Sequence, residues 1–418
     1  MVFQVFLVRC PLANNFLNLA DSSVTNYTQR IYPALGWNMF DGVMLGFHLQ
    51  NREKKKWDFH LVPMYSFGGK SLSGMFCSEK VLTEEVHVGL QGKRFLIQPM
   101  LAGGENVFYN SLYPYVGWKK RGLKSKNVNL QMKLGFYNQF FEENFDLLSK
   151  RRESQNPYYT QMGNQYFQVL NIELDDKTKN QLFQLEFEYA NTFMHQLNGF
   201  FDTLYENGQM KRVLSENYSK NRLHSNHLKV NFLWQKSWPS PFRDKKINFR
   251  YFLSAFLEKP EDPFFYHWVG QNNGFYDYRF EEYQMGRGAT NGLFYHQIMN
   301  RGLQSKFVGR FFQSDAWLSN LNVEWEFPGV LPVGMYGELL TCANMRNKTF
   351  NSSRSMIVYN GGLFLHFPYL SIYVNFFQSQ GITQMQLSQG IDTFTERMVF
   401  QLNLNKILEK RKIGSQAF

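Results

Sequence analysis

The sequence has little of what marks a disulfide-stapled protein, a zinc protein or a helical membrane protein. Its three cysteines, Cys10, Cys77 and Cys342, lie far apart without metal-ligand spacing, so they predict neither a disulfide framework nor a zinc site. No run of about 18 uninterrupted apolar residues occurs, which excludes a membrane-spanning helix. Prolines number only 13 and no low-complexity segment is present, which argues against disorder.

Catalytic motifs are also absent from the sequence. We find no H-E-x-x-H, G-x-S-x-G, P-loop or G-x-G-x-x-G pattern. His224 and His227 stand beside a long predicted connection, where a solvated loop explains them better than metal binding does. We therefore expect no catalytic residue, no metal site and no cofactor, and we expect that this chain is not an enzyme.

The net charge of +11 comes from short basic runs placed between apolar segments, at 51–56, 119–126, 243–246 and 406–412. A nucleic-acid-binding protein would cluster such residues on one face, with stacking aromatic residues between them. The runs instead indicate solvated turns and a solvated basic tail, with attraction to lipid phosphates as the alternative. No nucleic-acid partner is expected.

Aromatic residues are abundant, at 17% of the chain with 42 Phe and 23 Tyr, while the mean hydropathy is only −0.41. Apolar residues must therefore be dispersed, and the stretch 57–71 shows how. Trp57, Tyr65 and Phe67 share one side of an alternating pattern, and Asp58 and His60 share the other. Period-two alternation predicts a β-strand, because successive side chains point to opposite faces.

The same alternation recurs along the chain and predicts about 16–18 strands. Their expected ranges are 28–37, 41–50, 57–68, 71–78, 84–97, 107–119, 126–139, 163–175, 180–192, 226–236, 246–257, 274–284, 303–312, 316–327, 333–342, 356–367, 369–378 and 393–404. Short and long connections tend to alternate, and no linker interrupts the series. We therefore predict one domain at 28–404, preceded by a lead-in segment at 1–27 and followed by a basic C-terminal tail at 405–418.

The length of these strands suggests that their apolar side faces lipid. The expected strands have about 9–12 residues, whereas a tilted bilayer strand needs about 9–11 and a soluble strand has about 5–6. At ~3.3 Å per residue and a tilt near 40°, Trp57 and Tyr65 lie about 20 Å apart along the membrane normal, close to the ~25 Å band between aromatic girdles. A ring of about 16 strands is too wide for side chains to fill, so its inner face must be polar.

The sequence thus predicts an all-β protein, a transmembrane antiparallel β-barrel of the outer-membrane type. The expected lipid-facing girdle consists of Trp57, Tyr65, Phe67, Trp317 and Trp325. The expected lumen-facing polar residues are Asp58, His60, Lys133, Glu186, Glu188, Arg250, Glu324, Glu326 and Arg397.

Some residues leave alternatives open. Pro33, Pro63 and Pro114 fall within predicted strands and lack a donor, so each needs a bulge or a position near a rim. His48 and His60 fall on the polar faces of adjacent strands and could approach each other. Carboxylate pairs such as Glu186 with Glu188 suit acid–base chemistry, but a polar lumen explains them more simply. A soluble propeller or sandwich is the alternative fold.

Several phrases of the sequence resemble a known family. "YPALGWNMFDGVMLGFHLQN", "FHLVPMYSFGGKSLSG", "VYNGGLFLHFPYLSIYVNFFQSQG" and "ERMVFQLNLNKI" are similar to the C-terminal outer-membrane barrel of Bacteroidota proteins that carry a gluzincin-type zinc aminopeptidase-like domain ahead of it. The resemblance runs from about 28 to 408. It implies an outer-membrane location and a barrel that carries a peptidase domain, but the sequence contains no such domain, so no catalytic residue transfers.

Three functions are compatible with these observations. The first is an integral barrel of the cell outer membrane that anchors a partner or peptidase domain, with the lipid bilayer and lipopolysaccharide as its surroundings and a peptidase domain or another outer-membrane protein as its partner. The second is a porin-like diffusion channel or substrate-specific pore. The third is a soluble all-β carbohydrate-binding protein. The start "MVFQVFLVRCPLANN" is a poor signal peptide. Two interpretations remain open: a barrel-only relative of the family, or part of a longer or split product with its export signal upstream, which the missing signal favours.

Overall fold

The alternating segments of the sequence form β-strands, which account for most of the described structure. A computed structural model describes residues 29–38, 41–52, 57–98, 107–122, 128–142, 159–198, 201–206, 209–214, 219–241, 245–259, 269–270, 279, 293–298, 304, 313–314, 316–329, 331–343, 356–367, 369–387, 390–391 and 393–402. All statements on structure below refer to these residues.

Twenty strands are present in the described part of the chain. They are Gln29–Asn38 (β1), Gly42–Arg52 (β2), Asp58–Ser66 (β3), Ser71–Val81 (β4), Val86–Gln98 (β5), Val107–Arg121 (β6), Val128–Glu142 (β7), Tyr159–Asp176 (β8), Gln181–Asn198 (β9), Phe201–Glu206 (β10), Gln209–Leu214 (β11), Ser219–Pro239 (β12), Lys246–Glu258 (β13), Val269–Gly270 (β14), Gln313–Ser314 (β15), Trp317–Glu326 (β16), Val333–Cys342 (β17), Met356–His366 (β18), Leu370–Gln378 (β19) and Val399–Leu402 (β20).

Helical structure is short. A 3₁₀ helix spans Leu293–His296, and two α-helices span Gln380–Leu387 (α1) and Phe394–Arg397 (α2). No described helix combines the length and the apolar character needed to cross a membrane.

Sixteen strands form one antiparallel sheet in which sheet order follows chain order. The order runs from β1 to β9, continues with β12, β13 and β16 to β19, and ends with β20; β10–β11 and β14–β15 form separate two-stranded sheets. The described part of the sheet is not closed between its first and last strands. The sequence therefore predicted the all-β antiparallel architecture correctly, and closure into a barrel belongs to the proposal below.

By its internal contacts the chain divides into two compact units. The first contains Met1–Gly117, Leu134–Val169 and Tyr189–Asn226, and the second contains Trp118–Lys133, Leu170–Glu188 and His227–Phe418.

Most predicted strands are present with small shifts at their ends, and the strand at 333–342 has the predicted bounds. The prediction for 393–404 is wrong at its start, because residues 394–397 form α2 and the strand begins only at Val399. The physical reason is a capping box: the Thr393 hydroxyl accepts from the Glu396 N–H, and the Glu396 carboxylate accepts from the Thr393 N–H. The strands predicted at 274–284 and 303–312 lie outside the described residues, except for Arg279 and Gln304.

Pro63 shows how the sheet of the first unit tolerates a strand proline. The β2–β3 register runs from Gly46 opposite Met64 directly to Leu49 opposite Leu61, so the ladder is interrupted beside Pro63. On the other side Pro63 lies opposite Gly74, whose φ of +153° favours glycine. A Cβ on Gly46 would overlap with the Pro63 carbonyl oxygen. Glycines on both neighbouring strands thus accommodate the proline, as expected for a strand irregularity.

Two of the cysteines are described in the structure. Cys77 on β4 is buried and disulfide-bonded, so the expectation of no disulfide is wrong for this residue. Cys342 on β17 is a buried free thiol.

Candidate functional site on the polar face of the sheet

One face of the sheet in the first unit is apolar and exposed, and we call it the apolar face. Along β2 the alternate residues Val43, Leu45 and Phe47 are each almost half exposed. The predicted girdle residues of this unit continue the same pattern, since Trp57, Tyr65 and Phe67 have exposed fractions of 50%, 48% and 54%. Tyr65 and Phe67 contact each other edge to face, with ring centroids 5.4 Å apart.

The apolar face is also present in the second unit. Trp317 at the start of β16 is 39% exposed. Trp325 at the other end of β16 is half-buried, and its indole N–H donates to the Ser240 hydroxyl over 3.1 Å. Along β17 and β18 the exposed alternate residues are Met335, Leu339, Ile357, Tyr359 and Leu363.

The alternate residues between these positions are buried and combine polar side chains with apolar ones such as Met64, Leu318 and Phe364. We call this side of the sheet the polar face. In the first unit it includes His48, His60, Ser66, Ser73 and Glu79, all less than a tenth exposed. In the second unit the same is true of Asn320, Asn322, Glu338, Asn360 and Asn375. A soluble sheet buries its apolar side and exposes its polar side, so this sheet has the reverse polarity.

A row of three titratable residues lies on the polar face of β2 and β3. His48 Nε2 lies 3.0 Å from His60 Nδ1, and the two rings stack with centroids 5.2 Å apart. His60 Nε2 in turn lies 3.1 Å from Asp58 Oδ1. The structure therefore brings together the two histidines whose approach the alternation suggested. Among the described residues, no group of three or more His, Cys, Asp or Glu could hold a metal ion.

Glu79 and Tyr115 form a second polar contact of the first unit, which the sequence did not predict. The Tyr115 hydroxyl donates to Glu79 Oε2 over 2.6 Å, and both residues are buried. Tyr113 lies on the same face and stacks on Tyr137, with ring centroids 3.7 Å apart. The only sequence signal for these contacts is that each side chain occupies the polar-face phase of its strand.

A charged cluster lies on the polar face of the second unit and is centred on Glu188, which is fully buried. Glu188 Oε1 lies 3.2 Å from Lys229 Nζ and 3.1 Å from His227 Nε2. Arg279 joins Glu188 to its neighbour on β9: Arg279 Nη2 lies 2.7 Å from Glu186 Oε1 and Arg279 Nε lies 3.2 Å from Glu188 Oε2. Two acidic side chains, Glu186 and Glu188, thus lie against two basic side chains, Lys229 and Arg279.

His227 needs a correction. The sequence placed it at the start of the strand predicted at 226–236, beside a long connection, where a solvated position or, less well, metal binding was the interpretation. It lies inside β12 and is fully buried against Glu188, so the solvated position is wrong. The phase of the alternation explains its position, because Lys229 follows two residues later on the same face.

A second buried network of this unit is centred on Glu338 and Gln304. Asn320 and Asn360 donate to the two oxygens of Glu338 over 2.8 Å each, and the Gln304 backbone N–H donates to Glu338 Oε2 over 3.1 Å. The Gln304 side-chain amide donates to Glu324 Oε1 over 2.6 Å. Glu324, predicted to face a lumen, lies on the polar face and also accepts from the Tyr373 hydroxyl over 3.1 Å.

The remaining predicted lumen residues occupy less buried positions. Lys133 on β7, Arg250 on β13 and Glu326 at the end of β16 are half-buried. Arg250 lies opposite Asn322, a polar-face residue, in the β13–β16 register. Arg397 is also half-buried, but it is the last residue of α2, so its assignment to the polar side of a strand is wrong.

These contacts suit a structural role better than a catalytic one. The Glu186 and Glu188 pair, whose spacing suits acid–base work, is held in ion pairs with Arg279 and Lys229. A buried charge that loses its partner is strongly destabilising, so we expect the loss of any of these partners to destabilise the strands.

Comparisons with known proteins add little to this geometry. No protein-family model and no curated protein matches the chain. Among solved structures, the chain aligns with CdiB from Acinetobacter baumannii at a TM-score of 0.38 and 8% sequence identity, over 85% of this chain and 63% of that chain. The chain thus spans less than two thirds of that structure's length. The resemblance to the Bacteroidota barrels has no support from a family model or a curated relative and stays a prediction.

Proposed function

We propose that this chain is an integral β-barrel of the outer membrane, with its apolar face in contact with lipid and its polar face turned to the interior. The observation that carries the proposal is the reversed polarity of the sheet. In each unit the exposed alternate positions are apolar, such as Leu45 and Leu339, while buried alternate positions include charged or polar residues such as Glu79 and Glu338. Outer-membrane barrels have this arrangement, with apolar residues facing out and polar residues facing in.

Strand length and backbone hydrogen bonding support the proposal. β2 has 11 residues and β3 has 9, within the roughly 9–11 that a tilted bilayer strand needs. In hydrocarbon each unpaired backbone group costs several kcal/mol, so a sheet that spans a membrane must have no open edge. Pairing of β1 with β20 would complete a barrel of sixteen strands, the number in the large sheet.

Two lysines lie beside exposed tryptophans, an arrangement expected where a protein surface passes from hydrocarbon to lipid headgroups. Lys80 Nζ lies 5.6 Å from the centre of the Trp57 ring, and Lys236 Nζ lies 5.0 Å from that of Trp238. Each pair presents an apolar ring and an ammonium group side by side, which suits the phosphates of lipids or lipopolysaccharide.

Within the membrane we propose the role of an anchor or platform for a peptidase domain or another outer-membrane protein. The buried ion pairs of the second unit favour it, because Glu188 and Glu186 form ion pairs with Lys229 and Arg279 of this chain. A porin-like channel is the second candidate, which the polar character of the buried face favours. We also infer that the described part of the chain holds no catalytic centre, since its buried carboxylates Glu188 and Glu338 accept ion pairs and hydrogen bonds from this chain's own side chains.

Detergent dependence of the purified chain tests the membrane assignment. We expect the chain to require detergent for a monodisperse state and to migrate differently on a gel before and after heating. A soluble carbohydrate-binding protein would be monodisperse in plain buffer and would show one mobility. Monodispersity without detergent would therefore refute the proposal.

A further inference from the structure

Connections at the two ends of the second unit's strands differ in length, which gives the sheet a direction. Neighbouring strands are antiparallel, so successive connections lie at alternate ends of the sheet. The short connections share one end, which we call the turn end, and are 240–245, 327–332 and 367–369. The long connections share the other end and are 259–316, 343–355 and 379–398. Outer-membrane barrels have short periplasmic turns and longer extracellular loops, so in the proposed barrel the turn end faces the periplasm.

Lys236 lies on the apolar face, close to the turn end of β12. It is opposite Phe249, which in turn is opposite Val323, an exposed residue of the apolar face. The Lys236 ammonium lies 5.0 Å from the centre of the Trp238 ring, and that ring packs on Phe249 with centroids 5.8 Å apart. Lys236 is half-buried and forms no ion pair with any residue that the structure describes. Its ammonium group thus has aromatic neighbours, but no anionic partner within the described chain.

The first unit contains the same arrangement at the end of β4. The β3–β4 register pairs Asp58 with Glu79, so Trp57 and Lys80 are the next residues along the two strands. Lys80 Nζ lies 5.6 Å from the centre of the Trp57 ring, which is 50% exposed. Lys80 is half-buried and, within the described ranges, also forms no ion pair. A lysine that lies against a tryptophan without an anionic partner therefore occurs once in each unit.

Other lysines lie near Lys236 at the turn end of the second unit. The turn at 177–180 is adjacent to β12, because the Ser237 N–H donates to the Asn180 carbonyl over 3.0 Å. The lysines with exposed side chains at this end are Lys120, Lys177, Lys179 and Lys246. The acidic residues at the same strand ends are half-buried, namely Asp175, Asp176 and Glu326. The exposed charge of the described strand ends and turns at this end is therefore positive.

We propose that the turn end of the second unit binds the phosphates of anionic phospholipids in the periplasmic leaflet of the outer membrane. The inference rests on the proposed membrane barrel, because only a lipid-facing sheet presents Lys236 to headgroups. A lysine stem can lie along apolar surface while its ammonium reaches the interface, and lysines near an anionic membrane surface are attracted to it. Lipopolysaccharide belongs to the opposite leaflet, beside the long connections, so the orientation selects phospholipid as the ligand.

Quenching of tryptophan fluorescence by brominated lipids tests the binding. The full chain is reconstituted into phosphatidylcholine vesicles that contain either brominated phosphatidylglycerol or brominated phosphatidylcholine at equal mole fraction. We expect phosphatidylglycerol to quench the wild type more strongly, and this preference to fall at high salt. Lys236→Gln should lower the relative association constant of phosphatidylglycerol about fivefold, and Lys120→Gln should lower it further, because each lysine near an anionic surface contributes about that factor. Lys259→Gln, which removes an exposed lysine directly after the other end of β13, is the matched control and should keep the preference.

Labelling of introduced thiols in whole cells tests which leaflet the turn end faces. Lys179 is 70% exposed in the turn at 177–180, and Lys259 is exposed at the other end. In intact cells that carry the protein in their outer membrane, a maleimide too large to cross that membrane should label Lys259→Cys. It should label Lys179→Cys only after the outer membrane has been permeabilised. The parent protein gives the background from its own cysteines.

Three results would overturn the phospholipid site. The first is equal quenching of the wild type by the two brominated lipids, and the second is an equal preference in Lys236→Gln and Lys259→Gln. The third is labelling of Lys179→Cys in intact cells as fast as in permeabilised cells, which would place the turn end beside lipopolysaccharide. Any of them in a protein that inserts into vesicles and shows heat-modifiable mobility would refute the site alone, whereas monodispersity without detergent would refute the barrel and the site together.

Discussion

Arginine substitutions at two depths of the apolar face test whether that face contacts hydrocarbon. Leu61 lies on β3 midway between Trp57 and Tyr65. At ~3.3 Å per residue and a tilt near 40°, its Cα is about 10 Å from either aromatic level, which is near the bilayer midplane in the proposed barrel. Leu72 on β4 lies opposite Tyr65 in the register, so it sits at the level of the girdle. The two sites share a residue type, a face and a unit, and differ in depth.

The expected effects differ because the cost of a charge depends on its depth in the bilayer. An arginine on the lipid face costs about 2–4 kcal/mol at the midplane and about 0–1 kcal/mol near the interface. Leu61→Arg should therefore destabilise the protein by about 2–3 kcal/mol more than Leu72→Arg, which corresponds to a factor of about 30–150 in the folding equilibrium.

The assay is a urea titration of folding into lipid vesicles, followed by heat-modifiable gel mobility and tryptophan fluorescence. Leu72 is 61% exposed, so its variant also reports the cost of an arginine at a site with little packing. Equal destabilisation by the two substitutions would refute the assignment of the apolar face to lipid, because depth would then have no effect.

Two further substitutions test the packing of the sheet. Gly74→Ala should destabilise the protein by about 1–3 kcal/mol, because the φ of Gly74 is positive and the new Cβ would meet the Val62 carbonyl oxygen. The control is Gly337→Ala, whose new Cβ would have no atom within 4 Å, so its stability should stay within about 1 kcal/mol of the wild type. Equal urea midpoints for the two variants would contradict this prediction. Glu188→Gln should cost about 3–5 kcal/mol by leaving Lys229 buried without its partner. Adding Lys229→Met should recover part of that loss in the same titration, and a purely additive double variant would show that the two residues are not coupled.

Period-two alternation was sufficient to predict most of the large sheet, because it reports directly which side chains share a face. It placed the exposed aromatic residues on one side of their strands and the buried His60 and Glu188, with the half-buried Glu324, on the other. It failed at 394–397, where a helical turn with a Thr393–Glu396 capping box replaces the strand. That signal was present in the sequence, since threonine followed three residues later by glutamate is typical of a helix start.

The contacts of Arg279, which lies between β13 and β16 in the chain, could not be predicted in the same way. Arg279 binds residues of β9, far away in the sequence, and no local period reports such a contact. The hairpin of β10 and β11 lies between the strands predicted at 180–192 and 226–236, and α1 lies between those predicted at 369–378 and 393–404. Both regions were predicted to be long connections. The sequence predicts which residues need partners on the polar face, but not which distant residue supplies each partner.

Strand order that follows chain order also bears on how such a sheet can assemble. Each strand of the large sheet pairs with the strand that follows it in the chain, with two exceptions. β9 pairs with β12 because β10–β11 lie between them in the chain, and β13 pairs with β16 because β14–β15 lie between them. Hairpins can therefore form one after another without waiting for distant parts of the chain, and in the proposed barrel only the last step would join the two ends. A chain cleaved between β17 and β18 would leave every other hairpin intact, so two such fragments should be able to recombine into a functional whole.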